Sequence, residues 1–333
     1  MIDIIVGGFY GDEGKGKIVG YKAVKDNPHI VVRAGGGPQA GHTVTSGVKV
    51  TQVPSGLINK QARLLIGRGT VINPEIVLQE IYKYGLTNRI GIDYGCTVIE
   101  KKHIEAEQEL VKRIGSVGTG VGPARADRIL RRAKLAKDVP ELKPYLTDVA
   151  EEVNEAALAG KKVLVEGVQG FRLSLLDHKS YPYVTSQDTT ASQFAVDVGI
   201  GPRLIDEVTI VFKAYITRVG QGPLENEWSV EKIKELGIEE KGTVSGRPRR
   251  AAPFDKEIAK KAIIRNTATQ AVVTCIDRLF PGNTGIKDFH NLTEGAQEFV
   301  REIDEYLKGI PFFKGVTLIS TGPNSEDMID LRK

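Results

Sequence analysis

Seven short apolar runs set the strongest limit on what this chain can fold into. They are Ile2–Val6, His29–Val32, Leu64–Ile66, Val163–Val165, Glu207–Phe212, Ala271–Cys275 and Val316–Ser320, and they are rich in β-branched residues. Each reads as a strand buried on both faces. Between them lie segments of helical periodicity: Asn73–Tyr84, with Pro74 near its first turn, Lys101–Ile114, Thr147–Leu158, Asp255–Asn266 and Thr293–Leu307. Strands alternating with helices predict an α/β fold, a mostly parallel central sheet with helices on both faces. No repeat, low-complexity tract or long linker divides the 333 residues. Residues 1–333 therefore read as a single domain with small embellishments.

Glycine-rich segments fall mainly after the apolar runs: Gly7–Lys17, Ala34–Thr43, Glu166–Gly170, Arg218–Gly222 and Ser320–Pro323. In open α/β sheets ligands bind outside the carboxyl ends of the strands. Several such loops after several strands predict one large composite site, and hence an enzyme.

The first of these loops comes close to a phosphate-binding P-loop. Gly11–Lys17 reads GDEGKGK and meets G-x-x-x-x-G-K, but Ile18 stands where a metal-binding Ser or Thr belongs. Glycines and a following helix start would turn backbone N–H groups toward a phosphate. Lys15 and Lys17 would add positive charge. A carboxylate here would repel phosphate unless a cation bridges the two. Asp12 therefore reads as a Mg²⁺ ligand, a catalytic base, or both.

Other segments add polar groups to the same predicted site. His42 sits among glycines and reads as an acid or a phosphate contact, whereas His29, His103, His178 and His290 read as structural. Gln169 follows a strand in a Gly-x-x-Gly turn and can meet a ribose or a base edge. The run Tyr181–Ser192 offers Thr185, Ser186, Thr189 and Thr190 as phosphate donors. Lys241–Pro253 reads as a loop whose Arg247, Arg249 and Arg250 can bind carboxylate or phosphate as forks. Asp277 follows a strand and can accept the N1–H and exocyclic amine of guanine.

Bulk composition narrows the partners. The 46 basic and 42 acidic residues leave a net charge of +4, too small and too evenly spread for nucleic acid. Two arginine clusters, at Arg131 and Arg132 and at Arg247–Arg250, suit small anions better. Two cysteines imply no disulfide framework. There is no charged-then-apolar leader and no membrane-length apolar run. The expectation is a soluble cytoplasmic protein that engages neither membrane nor nucleic acid.

Ten pieces, in order between residues 6 and 323, together resemble the adenylosuccinate synthetase family: GDEGKGKIV, GGPQAGHT, VPSGLI, IGRGTV, GVGPA, EGVQG, DHKSYPYVTSQDTT, KAYITRVGQGP, SGRPRR and ISTGP. The resemblance implies a P-loop-like GTP-binding ligase that joins IMP and L-aspartate with GTP and Mg²⁺, through a 6-phosphoryl intermediate. It implies that Asp12 takes the N1 proton of IMP and binds Mg²⁺ together with the Gly41 carbonyl. It implies that His42 assists the departure of GDP. GTP would contact Gly11, Asp12, Glu13, Gly14, Lys15, Gly16 and Lys17, then Gly41, His42, Thr43 and Arg249. Cys275, Ile276 and Asp277, with Ser320, Thr321 and Gly322, would hold its guanine end. IMP would contact Asp12, Glu13, Gly14, Lys15, Gln39, Ala40, Gly41, His42, Ser116, Val117, Gln169, Thr185 and Arg247. Arg131 would reach the IMP site of a second subunit, which implies a homodimer. Thr243, Val244, Ser245, Gly246, Arg247 and Arg249 would clamp aspartate.

The chain departs from the usual family pattern at a few places. Pro38 and Gln39 replace His and Asn, Cys275 replaces a Lys, and Ser116 and Val117 replace two threonines. The chain is also shorter than most of the family, mainly after Arg131 and between Asp277 and Ser320. Two other readings remain open at this stage. A regulatory GTP-binding switch would use the first loop and Asp277 but leave His42 and the arginine-rich loop without a role. Another nucleotide-dependent ligase or kinase on the same scaffold would lack the aspartate clamp.

Overall fold

The computed structural model describes residues 1–242 and 246–332. The predicted strands join three further ones in a single ten-stranded sheet. Its order is Met328–Asp330, Val316–Ser320, Gln270–Thr274, Ile205–Lys213, Ile2–Gly7, Val163–Glu166, Ile30–Arg33, Arg63–Ile66, Ile90–Asp93 and Leu146–Thr147. Neighbours run parallel, except that Met328–Asp330 pairs antiparallel with Val316–Ser320.

The uninterrupted apolar runs follow from burial on both sheet faces. Alternate residues of a strand point to opposite faces. Ile2, Ile4 and Val6 enter one core while Ile5 enters the other. Val163 and Val165 likewise oppose Leu164. Helices Lys15–Lys25 and Pro74–Lys83 cover one face through Ile18, Val19, Val77 and Ile81. Helices Val149–Leu158, Ala191–Val198, Lys256–Asn266 and Glu294–Leu307 cover the other.

Four predicted helices begin one or two residues late, three of them behind a residue whose side chain caps the helix. Asn73 accepts from Ile76 N, Asp255 from Ile258 N, and Asp148 from Glu151 N. A larger difference lies in the arginine-rich segment. Arg249–Pro253 is a strand, paired antiparallel with Tyr215–Val219. Its Arg-Arg-Ala-Ala-Pro sequence carries no β-branched signal, and tertiary pairing decides its conformation.

The central strands end together and build a platform. In sheet order their last residues are Ser320, Thr274, Lys213, Gly7, Glu166 and Arg33. All six are buried. Five carry polar side chains, and each of these is hydrogen-bonded or ion-paired at the edge where the glycine-rich loops emerge.

Candidate active site

The first loop leaves Gly7 and turns through three left-handed residues, Gly11, Asp12 and Gly14, with φ of 84°, 61° and 85°. Gly14 leads directly into the Lys15–Lys25 helix, which has no side-chain cap at its N-terminus. No side chain competes with an anion there, and the helix dipole would favour one. Gly16 lets this helix start lie against His42. A Cβ there would meet His42 Cβ at 2.6 Å.

Above the platform opens a cleft of about 860 Å³. Gly11, Asp12, Gly14, Lys15, Gly16 and Lys17 line it from the first loop, and Gln39, Ala40, Gly41, His42 and Thr43 from the second. Ser116, Val117, Gln169, Thr185, Arg247 and Arg249 complete one side, and Cys275, Asp277 and Gly322 the other. Glu13, Ile276, Ser320, Thr321, Gly246 and Arg131 do not line it. Thr243, Val244 and Ser245 lie outside the described residues.

Glu13 acts beneath the loop. Its carboxylate accepts from Phe9 N at 3.0 Å and Gly11 N at 2.8 Å, and pairs with Lys15 Nζ at 2.7 Å. Lys15 Nζ also donates to the Gln169 carbonyl. Lys17 Nζ donates to Ser320 Oγ and the Gly322 carbonyl. Ile276 is a core residue, and Thr321 Oγ1 donates to the Ile286 carbonyl at 2.7 Å.

Asp12 projects into the cleft and accepts from Arg249 Nη2 at 2.9 Å. Burial pushes its carboxyl up, and Arg249 and Lys213 pull it back. Arg249 Nη1 also pairs with Glu240, whose other oxygen holds Lys213 Nζ at 2.6 Å. Burial raises Glu240 too, but Lys213 and Arg249 outweigh it and bring its pKa down to about 2.

His42 rests on a wholly buried group. Its Nδ1 contacts Glu166 Oε1, which also takes Arg33 Nη1 at 2.9 Å. Glu166 Oε2 accepts from Ser55 N at 2.7 Å. Nδ1 also lies 2.7 Å from Arg33 Nη1. Where it donates to the carboxylate, Nδ1 carries the hydrogen and Nε2 is left for a ligand. Burial, then the Arg33 charge, lower the His42 pKa to about 4 despite Glu166, so the free site holds a neutral imidazole. Burial raises the Glu166 carboxyl, yet Arg33, His42 and Ser55 outweigh it and leave it at about 2.

These two carboxylates make stability depend on acid. Their folded pKa values lie below the ordinary 4.5, so their contribution is present above pH 4.5 and is lost as pH falls toward 2. Thermal melts between pH 6 and 2.5 are expected to drop steeply below 4.5, and less steeply in Glu166→Gln. A parallel decline in both proteins would remove Glu166 from the account.

One side chain of the cleft lining holds the turn at Gly115 and Ser116. Arg247 Nη1 donates to the Gly115 carbonyl at 2.7 Å and Nη2 to the Ser116 carbonyl at 3.2 Å. Ser116 Oγ is engaged with Glu107 of the Lys101–Ile114 helix, and Val117 has no side-chain donor. This turn therefore offers a ligand its backbone. Gln39 Oε1 is buried in the cleft wall without a hydrogen-bond partner among the described residues.

Sequence reasoning missed Arg33, Glu166, Lys213 and Glu240. A signal for the first three was present. Each is a charged residue closing an apolar run, in IVVR, VLVE and IDEVTIVFK. A charge at the carboxyl end of a doubly buried strand has to find a partner, and the site supplies one.

The sequence model of the family described as adenylosuccinate synthetase matches residues 4–139 and 133–283. The adenylosuccinate synthetase of Archaeoglobus fulgidus is 50% identical over 336 residues, spanning 99% of this chain and 98% of that one. That of Methanosphaera stadtmanae is 48% identical over 340 residues, spanning 99% and 97%. The chain belongs to the adenylosuccinate synthetase family. Its length is that of these two relatives. The fold also matches a solved family member, the fully ligated adenylosuccinate synthetase of Plasmodium falciparum. The TM-score is 0.89 at 23% identity, with 99% of each chain covered. A cyanophage S-2L succinoaminodeoxyadenylate synthetase, bound to dGMP and dATP as an energy donor, matches with a TM-score of 0.82 at 24% identity. That match covers 100% of this chain and 95% of the other.

Proposed function

We infer that this ligase forms a C–N bond between IMP and L-aspartate with GTP as energy donor. It releases adenylosuccinate, GDP and phosphate, the first committed step from IMP to AMP. The observation that carries the site assignment is the Asp12 carboxylate. It stands in the cleft beside the first loop's helix start, already paired with a cation, and Lys15 and His42 line the same cleft.

The O6 of IMP is a poor leaving group and must be converted. Asp12 accepts the N1 proton, which moves negative charge to O6. O6 attacks the γ-phosphorus of GTP, the bond to the β–γ bridging oxygen breaks, and GDP leaves. Lys15 and His42 stabilise charge on the transferring group. The deprotonated aspartate amine then attacks C6, and the C6–O bond breaks as phosphate departs. His42 enters neutral; anionic phosphate oxygens brought beside Nε2 favour its protonated form, the form that can assist GDP departure.

A magnesium ion suits this donor set. The cleft offers the Asp12 carboxylate and the Gly41 carbonyl, and Mg²⁺ is commonly held by one or two carboxylates plus substrate phosphates and waters. When bound, the ion would neutralise charge on the phosphoryl group.

Asp277 lines the far end of the cleft and is assigned to guanine, with Cys275 beside it. The aspartate clamp is assigned to residues 243–249, with Arg247 shared with IMP. Arg247→Leu is expected to raise the aspartate KM about 10- to 100-fold, because a bidentate carboxylate contact is lost. IMP binding should weaken too, since Arg247 also holds the turn at Gly115 and Ser116. Unchanged aspartate kinetics would refute the placement.

The working unit we propose is a homodimer of single-domain chains in the cytoplasm. Arg131 lies outside the cleft lining, beside the exposed Ile129 and Leu130, in keeping with a reach into a partner's IMP site. Both cysteines are free, as a reducing compartment requires. No helix among the described residues is long and apolar enough to cross a membrane.

The test is a drop-out assay followed by ultraviolet absorbance. IMP, GTP, aspartate and Mg²⁺ are omitted in turn, and ATP replaces GTP in a further lane. Product that requires all four supports the reading, and product with ATP would overturn the guanine assignment at Asp277. GTP hydrolysis that ignores IMP and aspartate would overturn the ligase reading itself.

A further inference from the structure

Glu240 has no assigned substrate contact, yet its carboxylate ties together three side chains at the edge of the cleft. Its carboxylate is largely buried and holds three groups. Lys213 Nζ lies 2.6 and 2.7 Å from its two oxygens, and the Tyr215 hydroxyl and Arg249 Nη1 donate to it as well. Charges then alternate from Lys213 through Glu240 and Arg249 to Asp12, where Arg249 Nη2 ends at 2.9 Å from Oδ1.

The backbone at Glu240 is equally constrained. Arg249 N donates to the Glu240 carbonyl at 3.0 Å, Lys241 bridges to Pro248, and Gly242 N donates to the Arg247 carbonyl at 2.9 Å. Residues 240–242 and 247–249 are thus held against each other as a neck. The Glu240 side chain ties that neck to Lys213, the last residue of a central sheet strand. The neck, the guanidinium and the base share one anchor.

We propose that Glu240 is a positioning residue for the ligation, holding residues 240–242 against 247–249 and aiming Arg249 at Asp12. The proposal rests on the assignment of Arg247 and Arg249 to aspartate. A glutamine cannot replace the carboxylate. Its single amide oxygen can accept from Lys213 or from Arg249, while its NH₂ group opposes the other donor. One cation is released in either case, and the neck loses its tie. The IMP side keeps its own anchor, because Arg247 remains bound to the Gly115 and Ser116 carbonyls. The loss should therefore fall more heavily on aspartate than on IMP.

Initial-rate kinetics on the full chain test this, with aspartate and IMP varied in turn at saturating GTP and Mg²⁺. If the wild-type protein makes no adenylosuccinate, the reading of the site falls and this proposal falls with it. If it does, Glu240→Gln is compared with wild type. The aspartate KM is expected to rise at least fivefold more than the IMP KM. A smaller difference, including an equal rise in both, overturns the proposal, since general loosening of the fold would not discriminate between substrates. Should Glu240→Gln fail to fold, Glu240→Asp, which keeps the charge but draws it back by one methylene, is read by the same criterion.

Discussion

Asp12→Asn is expected to lower adenylosuccinate formation by about 10³-fold or more, the range of a lost general base combined with a lost metal oxygen. Folding should survive. Asn has the same shape, and Asn adopts the left-handed conformation that φ 61° demands more readily than Ala does. Two electrostatic changes also oppose each other. Neutralising the side chain removes the burial penalty on a carboxylate, and it also removes the attraction of Arg249 and Lys213. The melting temperature should therefore change little while turnover collapses. Activity above about 1% of wild type in a folded Asp12→Asn protein would take the base assignment away from this residue.

Glu166→Gln should damage both stability and rate. Arg33 is only 1% exposed and depends on this carboxylate, so the substitution leaves a buried cation without its counter-charge. Breaking a buried pair in this way costs about 3–5 kcal/mol. The glutamine oxygen can still accept from Ser55 N, which offsets part of the loss. The rate effect is separate. His42 Nδ1 loses the acceptor that fixes its tautomer and ring orientation, and kcat should fall by about 100-fold while the IMP KM moves little. A soluble Glu166→Gln enzyme with wild-type kcat would falsify the orienting role, whatever its stability.

Much of the fold was legible because burial on both sheet faces leaves a plain mark. A strand such as Ile2–Gly7, which feeds one core with Ile4 and the other with Ile5, has to be apolar at successive positions. The phosphate loop was legible for a related reason. Left-handed turns at Gly11 and Gly14 favour glycine, and the close approach of Gly16 to His42 leaves no room for a side chain. The strand Arg249–Pro253 escaped notice because its pairing with Tyr215–Val219 is made across 30 residues of chain and leaves no periodic pattern.

The site itself divides along the same line. Asp12, Lys15, His42, Arg247 and Asp277 could be named from the chain because each lies in a short, unusual motif. Nothing local marks Glu240, which sits among ordinary charged residues in GIEEKG. The orientation of Glu13 was equally hidden. It shares the first loop with Asp12, yet the loop's turn buries it beneath the backbone against Lys15. By itself the sequence determined the layer architecture, the glycine-rich loops that line the cleft and the family, because periodicity and glycine placement are local properties. Only the tertiary structure decided which charges meet. Lys213, Glu240, Arg249 and Asp12 are far apart in the chain, and their pairing depends on strand order and on the burial that makes an unpaired charge too costly to leave.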